Sequence, residues 1–172
     1  MKKTTWLVLI VAGVVIAVDQ VIKYLVSMYL PVGGAWSPLP GPSPIFQIVH
    51  TINTGVAFGL FKDLGPVFII VRLAVSAAII LYARHLREDQ KLLALTLGLM
   101  VGGTLGNAID GIRLGHVIDF FDVGFGTLRN ASNLADWSIV LSVILLGIAL
   151  LRDERKQKKS NHGDTETRGL SS

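Results

Sequence analysis

The stretch HVIDFFDVGFGTLRNASNLADW, residues 116–137, joins two long apolar segments and contains three aspartates, Asp119, Asp122 and Asp136. A charged carboxylate beside hydrocarbon is costly to maintain. The fold must therefore give these groups either partners or a function. What lies on either side of the stretch decides the fold class.

The chain has four apolar runs, at residues 4–26, 66–82, 92–109 and 137–151. Each approaches the ~20 residues that a helix needs to cross a bilayer, and none alternates with a period of two. Only 16% of the 172 residues are charged and 51% are hydrophobic, whereas soluble domains carry about 25% charged residues. Because a backbone in lipid must satisfy its own hydrogen bonds, the runs predict four transmembrane helices.

Other classes fit the composition poorly. The net charge of +4 comes from basic residues in short segments without interleaved aromatics, so no nucleic-acid partner is expected. The absence of cysteine excludes disulfides, a thiol nucleophile and a thiolate metal site. The first run after MKK could be a cleaved signal peptide. However, no A-x-A site follows it, and the apolar character continues through VIKYLVSMYL.

The basic residues predict the orientation. Eleven of the 16 Lys and Arg precede the first run, lie between the second and third, or follow the fourth. The positive-inside rule then places both termini in the cytoplasm of a bacterial inner membrane, and connections 27–65 and 110–136 in the periplasm. Residues 1–159 are expected to form one integral membrane domain, and the polar residues 160–172 a disordered cytoplasmic tail.

The outer connections carry signals of local structure. Residues 43–53, SPIFQIVHTIN, and 116–123, HVIDFFDV, are typical of strands, and GFGTLRN at 124–130 resembles a hairpin connection. GVAFGLFKD at 55–63 is short and amphipathic, which is typical of an interfacial helix. The predicted fold is therefore an all-α membrane protein: four transmembrane helices with a small periplasmic β layer and a short interfacial helix.

Two aspartates can converge at the outer face, because Asp119 follows the third run and Asp136 precedes the fourth. Two close carboxylates tend to share one proton. One can then activate water as a base while the other donates to a carbonyl oxygen, which is peptide hydrolysis without a metal. The alternatives are that Asp136 is a helix N-cap, and that Asp119 and Asp122 are solvated loop residues.

Further polar groups lie near the same ends of the runs. Asp19 and Lys23 are four residues apart and share a helix face, as site residues or as a structural ion pair. Asn107 and Asp110 are expected to end the third helix, while Arg72 stands alone in the second run. The spacing of His116, Asp119 and Asp122 could suit a metal, but a metal site is not expected there, because only one histidine is nearby, cysteine is absent and no recognised ligand pattern is present.

Gly98, Gly102 and Gly106 recur every four residues on the third run. Small residues at this spacing allow close packing between membrane helices. The stripe therefore predicts helix packing and no chemistry.

These residues resemble the lipoprotein signal peptidase (signal peptidase II) family. The resemblance rests on four segments in order: DQVIK at 19–23, NTGVAF at 53–58, GNAIDGIRLGHVIDFFDV at 106–123 and NLAD at 133–136. It implies an aspartic endopeptidase, inhibited by globomycin, that uses no cofactor. Its implied substrates are diacylglyceryl-modified prolipoproteins, cut just before the lipid-bearing cysteine.

The resemblance also implies residue roles. Asp119 and Asp136 would be the catalytic pair. The residues that would shape the site or hold the substrate are Asp19, Lys23, Asn53, Gly55, Asn107, Asp110, Arg113, Asn133 and Ala135. The expected partners are the lipid-modified prolipoproteins and membrane phospholipids, and the expected state is a monomer.

Two positions depart from the family pattern. Gly111 stands where an arginine is usual, with Arg113 as the expected substitute, and Ser132 stands where a phenylalanine is usual. The alternative function is a small four-helix transporter or ion pathway through Asp19, Lys23 and Arg72. Such a pathway would spread polar groups through the membrane depth, whereas most of these groups are predicted at one face.

Overall fold

The computed structural model describes residues 1–38, 45–54, 65–125 and 128–169, with the side chains of the last helix described as far as Arg152. Each apolar run forms a helix, as predicted. The helices are α1 (Lys3–Tyr29), α2 (Gly65–Ala83), α3 (Lys91–Leu114) and α4 (Leu134–Gly169). All four are long and apolar enough to cross a membrane, α4 through its segment Leu134–Arg152.

The faces of the helices are apolar where they meet no other helix. Ile10 on α1, Ile70 on α2 and Ile144 on α4 are each more than half exposed. Such a surface on a water-soluble protein would be an aggregation liability, but in a bilayer it contacts lipid. The exposed faces therefore agree with the four membrane spans.

Helix α3 lies at the centre of the bundle and packs against α1, α2 and α4. Its glycines allow this, because a Cβ at Gly98 or Gly102 would come within 2.7 Å of the Cβ of Val11 or Val15 on α1. A Cβ at Gly106 would stand 3.3 Å from that of Ala135 on α4. The prediction that this stripe serves close packing is confirmed.

The strands β1 (Ala35–Trp36), β2 (Phe46–Asn53), β3 (Val117–Phe125) and β4 (Leu128–Ser132) form one antiparallel sheet in that order. The predicted strands and the β3–β4 hairpin are confirmed. In the register, Asn53 pairs with Val117 and Thr51 pairs with Asp119. The sheet joins the bundle where α3 ends and α4 begins, and we call this the sheet end.

The ends of α3 and α4 differ from the prediction in detail. Helix α3 runs to Leu114 and is closed by Gly115, whose φ of 75° suits glycine and whose N–H donates to the Gly111 carbonyl at 3.1 Å. Asn107 and Asp110 therefore lie inside α3, not at its end. The backbone of α4 continues as helix to Gly169, through part of the expected tail, and the division of the chain at residue 160 stays a prediction. The predicted interfacial helix at 55–63 lies outside the described residues.

Candidate active site

A buried lysine organises the sheet end of the bundle. Lys23 on α1 is only 2% exposed, and its Nζ lies 2.7 Å from Asp19 Oδ2 and 2.7 Å from Asp110 Oδ2. It also donates to Asn107 Oδ1 at 3.0 Å. An ammonium has three N–H donors, and here each has an acceptor. The prediction that Asp19 and Lys23 share a face is confirmed, and they form an ion pair that also ties α1 to α3.

The two carboxylates of this cluster have further donors. Asp19 accepts the backbone N–H of Ala135 at the start of α4, at 3.0 Å. Asp110 accepts from the Gln20 amide at 2.8 Å and from the Ile118 N–H at 3.3 Å. Burying two carboxylates with one ammonium is costly unless their oxygens are hydrogen-bonded. These hydrogen bonds offset the desolvation cost and hold α4 and β3 against α1 and α3.

Asp119 on β3 is held by two asparagine amides. Its Oδ2 accepts from Asn53 Nδ2 at 2.8 Å and its Oδ1 accepts from Asn133 Nδ2 at 2.7 Å. Asp119 is 2% exposed, so it is not a solvated loop residue. Burial raises the pKa of Asp119 above the ordinary value of 3.8, and the charge of Asp136 also raises it, while the two amides and Lys23 act in the opposite direction.

Asp136 lies in the first turn of α4 but is not its cap. The cap is Asn133, whose Oδ1 accepts the Asp136 backbone N–H at 2.9 Å. The carboxylate of Asp136 is left to accept from Asn107 Nδ2 at 2.7 Å. The N-cap alternative for Asp136 is therefore wrong, and its carboxylate faces the same polar cluster as Asp119.

Two asparagines thus connect the aspartates to each other and to Lys23. Asn133 contacts the Asp119 carboxyl group with its amide nitrogen and the Asp136 backbone with its amide oxygen. Asn107 donates to Asp136 and accepts from Lys23. Chemically, two neighbouring carboxyl groups, one of which holds its proton more strongly than usual, can act as a general acid and a general base.

The remaining predicted residues lie at different distances from this cluster. Ala135 contributes its backbone N–H and, as a small side chain, the close approach of α3 to α4. Arg113 donates to Gln20 Oε1 at 3.3 Å, on the α1 side of α3. Gly111 faces Ile69 on α2, so the expectation that Arg113 replaces an arginine at position 111 does not fit the structure. Gly55 lies outside the described residues.

Gln20 belongs to the cluster and was missed in the sequence. It bridges Asp110 and Arg113 and also donates to the Gly106 carbonyl at 3.2 Å. The available signal was a second polar side chain next to Asp19 within an apolar run. The amide of a glutamine in a membrane helix usually forms a hydrogen bond with a neighbouring helix.

Asp122 and Ser132 have structural partners in the sheet. Asp122 on β3 forms an ion pair with Arg129 on β4, which joins the two strands of the hairpin. Ser132 accepts from the indole Nε1 of Trp137 at 2.9 Å and lies 3.4 Å from the Phe121 carbonyl oxygen. The serine at this departure from the family pattern therefore links β4 to β3 and α4.

Among residues 1–38, 45–54, 65–125 and 128–152, no group of three or more His, Asp or Glu side chains is arranged to hold a metal ion. His116 and the aspartates of β3 do not form such a group. The chemistry of the described site is that of carboxylates, amides and one ammonium.

Replacing Lys23 with methionine should destabilise the protein. Methionine is an unbranched apolar side chain of similar length, but it leaves Asp19 and Asp110 without their shared cation, and breaking a buried pair costs about 3–5 kcal/mol. Thermal unfolding in detergent should show a clear drop. Lys91→Met, at an exposed site on α3, is the control and should change stability by less than about 0.5 kcal/mol. Equal unfolding midpoints for the two variants would contradict this role of Lys23.

The chain is similar to known proteins over most of its length. The family described as signal peptidase (SPase) II matches residues 11–152. The lipoprotein signal peptidase of Geobacter metallireducens is 41% identical, over 88% of this chain and 94% of its own length. That of Moorella thermoacetica is 38% identical, over 83% and 91%.

The fold is also similar to that of solved structures. Two structures described as bacterial membrane enzymes determined by the in meso method are each 29% identical to this chain. The match to one covers 86% of this chain and 88% of the solved chain, with a TM-score of 0.74. The match to the other covers 85% of this chain and 93% of the solved chain, with a TM-score of 0.75. The chain belongs to the signal peptidase II family, a family of membrane peptidases that process lipoproteins.

Proposed function

We propose that this protein is an aspartic endopeptidase that removes signal peptides from diacylglyceryl-modified prolipoproteins and cuts just before the lipid-modified cysteine. Asp119 and Asp136 are its catalytic pair. The observation that carries the proposal is that Asn133 contacts both residues while Asn53 and Asn107 each hold one carboxylate. Three asparagine hydrogen bonds thus hold the two carboxyl groups, and a fourth holds the Asp136 backbone.

The raised pKa of Asp119 supports a role for it as the general acid, with Asp136 as the general base. Asp119 keeps a proton more readily than an ordinary aspartate because it is buried and faces the charge of Asp136. It can then donate to the scissile carbonyl oxygen while Asp136 removes a proton from the attacking water. The water oxygen bonds to the carbonyl carbon, and the C–N bond breaks as the leaving nitrogen takes a proton from the pair. No covalent intermediate is needed.

The depth of the site suits a membrane-anchored substrate. The pair lies where α3 ends and α4 begins, at the sheet end of four helices that can cross a bilayer. A signal helix that leaves the hydrocarbon at this level would present its cleavage site to the two carboxyl groups. We further propose that this face is periplasmic, that the protein acts as a monomer among phospholipids, and that globomycin inhibits it.

Converting either aspartate of the pair to asparagine should abolish cleavage without preventing insertion. Asp119→Asn and Asp136→Asn each remove a proton-transfer partner, a contribution of roughly 10²–10⁴-fold. Cleavage of a lipidated prolipoprotein by purified variants measures this. Asp122→Asn is the matched control, since it makes the same change on the same strand at the ion pair with Arg129. If Asp122→Asn were inactive and Asp119→Asn active, the site assignment would be wrong.

The orientation can be tested with reporter fusions. Most basic residues lie at the end of the bundle opposite the sheet, in the connection between α2 and α3 and at both termini, so this end should be cytoplasmic. A periplasm-active reporter fused after Arg87 should be silent, and one fused after Gly115 should be active. The reverse pattern would contradict the proposed topology.

The pH dependence of cleavage should follow the proton held by the pair. Activity should fall as the pH rises through the raised pKa, because the general acid is then lost. Asn53→Ala removes an amide that lowers the pKa of Asp119, so the alkaline limb should move to higher pH. The profile is measured as kcat/KM, each variant normalised to its maximum, because the apparent values belong to the coupled pair. A shift to lower pH would show that Asp119 is not the proton carrier.

A further inference from the structure

Arg72 is a cation in a membrane-capable helix that the proposed mechanism does not use. It lies seven residues after the start of α2 and is partly buried. Within the described ranges its guanidinium has one acceptor, the Asn107 carbonyl oxygen, at a long 3.4 Å, and no carboxylate within 4.0 Å. An arginine at membrane depth without a counter-charge is costly and marks a functional position.

A cavity of about 200 Å³ lies in front of Arg72, between α2, α3 and the start of β3. Gly111 forms part of its wall, and a Cβ there would stand 3.1 Å from Ile69 Cγ1, so glycine keeps this wall open. Among the described residues, no acidic side chain lines the cavity, and its polar lining includes Asn53, Thr54, Arg72 and His116. The cavity therefore offers hydrogen-bond donors and a positive charge.

The cavity adjoins the catalytic pair. Asn53 lines it and donates to Asp119 at 2.8 Å. Asn107 offers its carbonyl oxygen to Arg72 while its amide donates to Asp136 at 2.7 Å. Arg72 and Asp136 thus both contact Asn107 of α3. A group bound by Arg72 would be held next to the bond that the pair attacks.

The substrate of the proposed function carries suitable acceptors at this depth. A signal segment in hydrocarbon is helical, and it ends shortly before the scissile bond. The last four carbonyl groups of a helix have no intrahelical donor and carry its negative dipole end. Arginine side chains bind such carbonyls, and a guanidinium can donate to two of them at once.

We propose that Arg72 is a substrate-binding residue that donates hydrogen bonds to the backbone carbonyl oxygens at the end of the substrate's signal helix, next to Asp119 and Asp136. The proposal rests on the proposed function. It explains why a cation without a carboxylate partner in the described chain faces a cavity beside the pair. It also gives the open wall at Gly111 a use, because the substrate backbone needs that space.

Removing the guanidinium should weaken substrate binding more than it slows the chemical step. Arg72→Gln should lower kcat/KM by about 10- to 100-fold, mostly through a higher KM. Losing a hydrogen bond to a charged group typically weakens binding by about this factor. Arg72→Lys should recover part of the loss. Arg84→Gln, the same change at the other end of α2, is the control and should stay within about twofold of the parent, in the range of ordinary surface substitutions. Unfolding midpoints show that all variants are folded.

A double-mutant cycle tests the contact itself. The substrate is a synthetic lipidated peptide in which single backbone amides before the cleavage site are replaced by esters, whose carbonyls are weaker acceptors. For at least one position the parent should lose several-fold more kcat/KM than Arg72→Gln does, which is coupling between the two groups. Equal losses at every position, or parent-like kcat/KM in Arg72→Gln, would overturn the proposal.

A phospholipid phosphate is the competing acceptor. The same assays are therefore run in nonionic detergent with and without phosphatidylglycerol. If Arg72→Gln matches the parent without the lipid and differs only with it, Arg72 binds a headgroup and the proposal is wrong. Parent activity is the separate check: if the parent does not cleave, the proposed function fails, whereas an active parent with a fully active Arg72→Gln variant refutes only this inference.

Discussion

The three hydrogen bonds of Lys23 are the interaction on which the sheet end of the molecule depends. They join one ammonium to Asp19, Asp110 and Asn107 in a place that is 2% exposed. A buried charge is tolerated only when it is paired and its remaining hydrogen bonds are met. The Gln20 amide and the backbone N–H groups of Ile118 and Ala135 supply the remaining hydrogen bonds of the two carboxylates that pair with Lys23.

The catalytic proposal builds on this support. The amide oxygen of Asn107 accepts a hydrogen bond from Lys23, and this orients its amide nitrogen toward Asp136. Asn133 caps α4 and at the same time donates to Asp119. The asparagines thus orient the two carboxyl groups. Their side chains are short and stand in or beside helices and strands, and such rigid support is what preorganised acid–base chemistry requires. In the described part of the chain, the ionisable groups inside the spans gather near this end, in contrast with the distribution expected of an ion pathway.

Sequence reasoning found the helices and the polar residues but not all their pairings. Run length and the backbone's need for internal hydrogen bonds predict α1 to α4. The predicted bounds hold within a few residues except at the C-terminal ends of α3 and α4, which continue to Leu114 and Gly169. The contact of Lys23 with Asp110 depends on how closely α1 approaches α3, which the glycines set together with the rotation of both helices. Local sequence also could not show that Asn133, not Asp136, caps α4, or that Arg113 and Gly111 lie on different sides of α3.

The most direct test of the central claim is incubation of the purified protein with one diacylglyceryl-modified prolipoprotein, with a metal chelator present, followed by mass spectrometry of the products. The account predicts a single cut immediately before the lipid-modified cysteine, at the same rate with and without the chelator, because carboxyl groups alone carry the chemistry. No cleavage, or cleavage that stops with the chelator and returns with zinc, would contradict it.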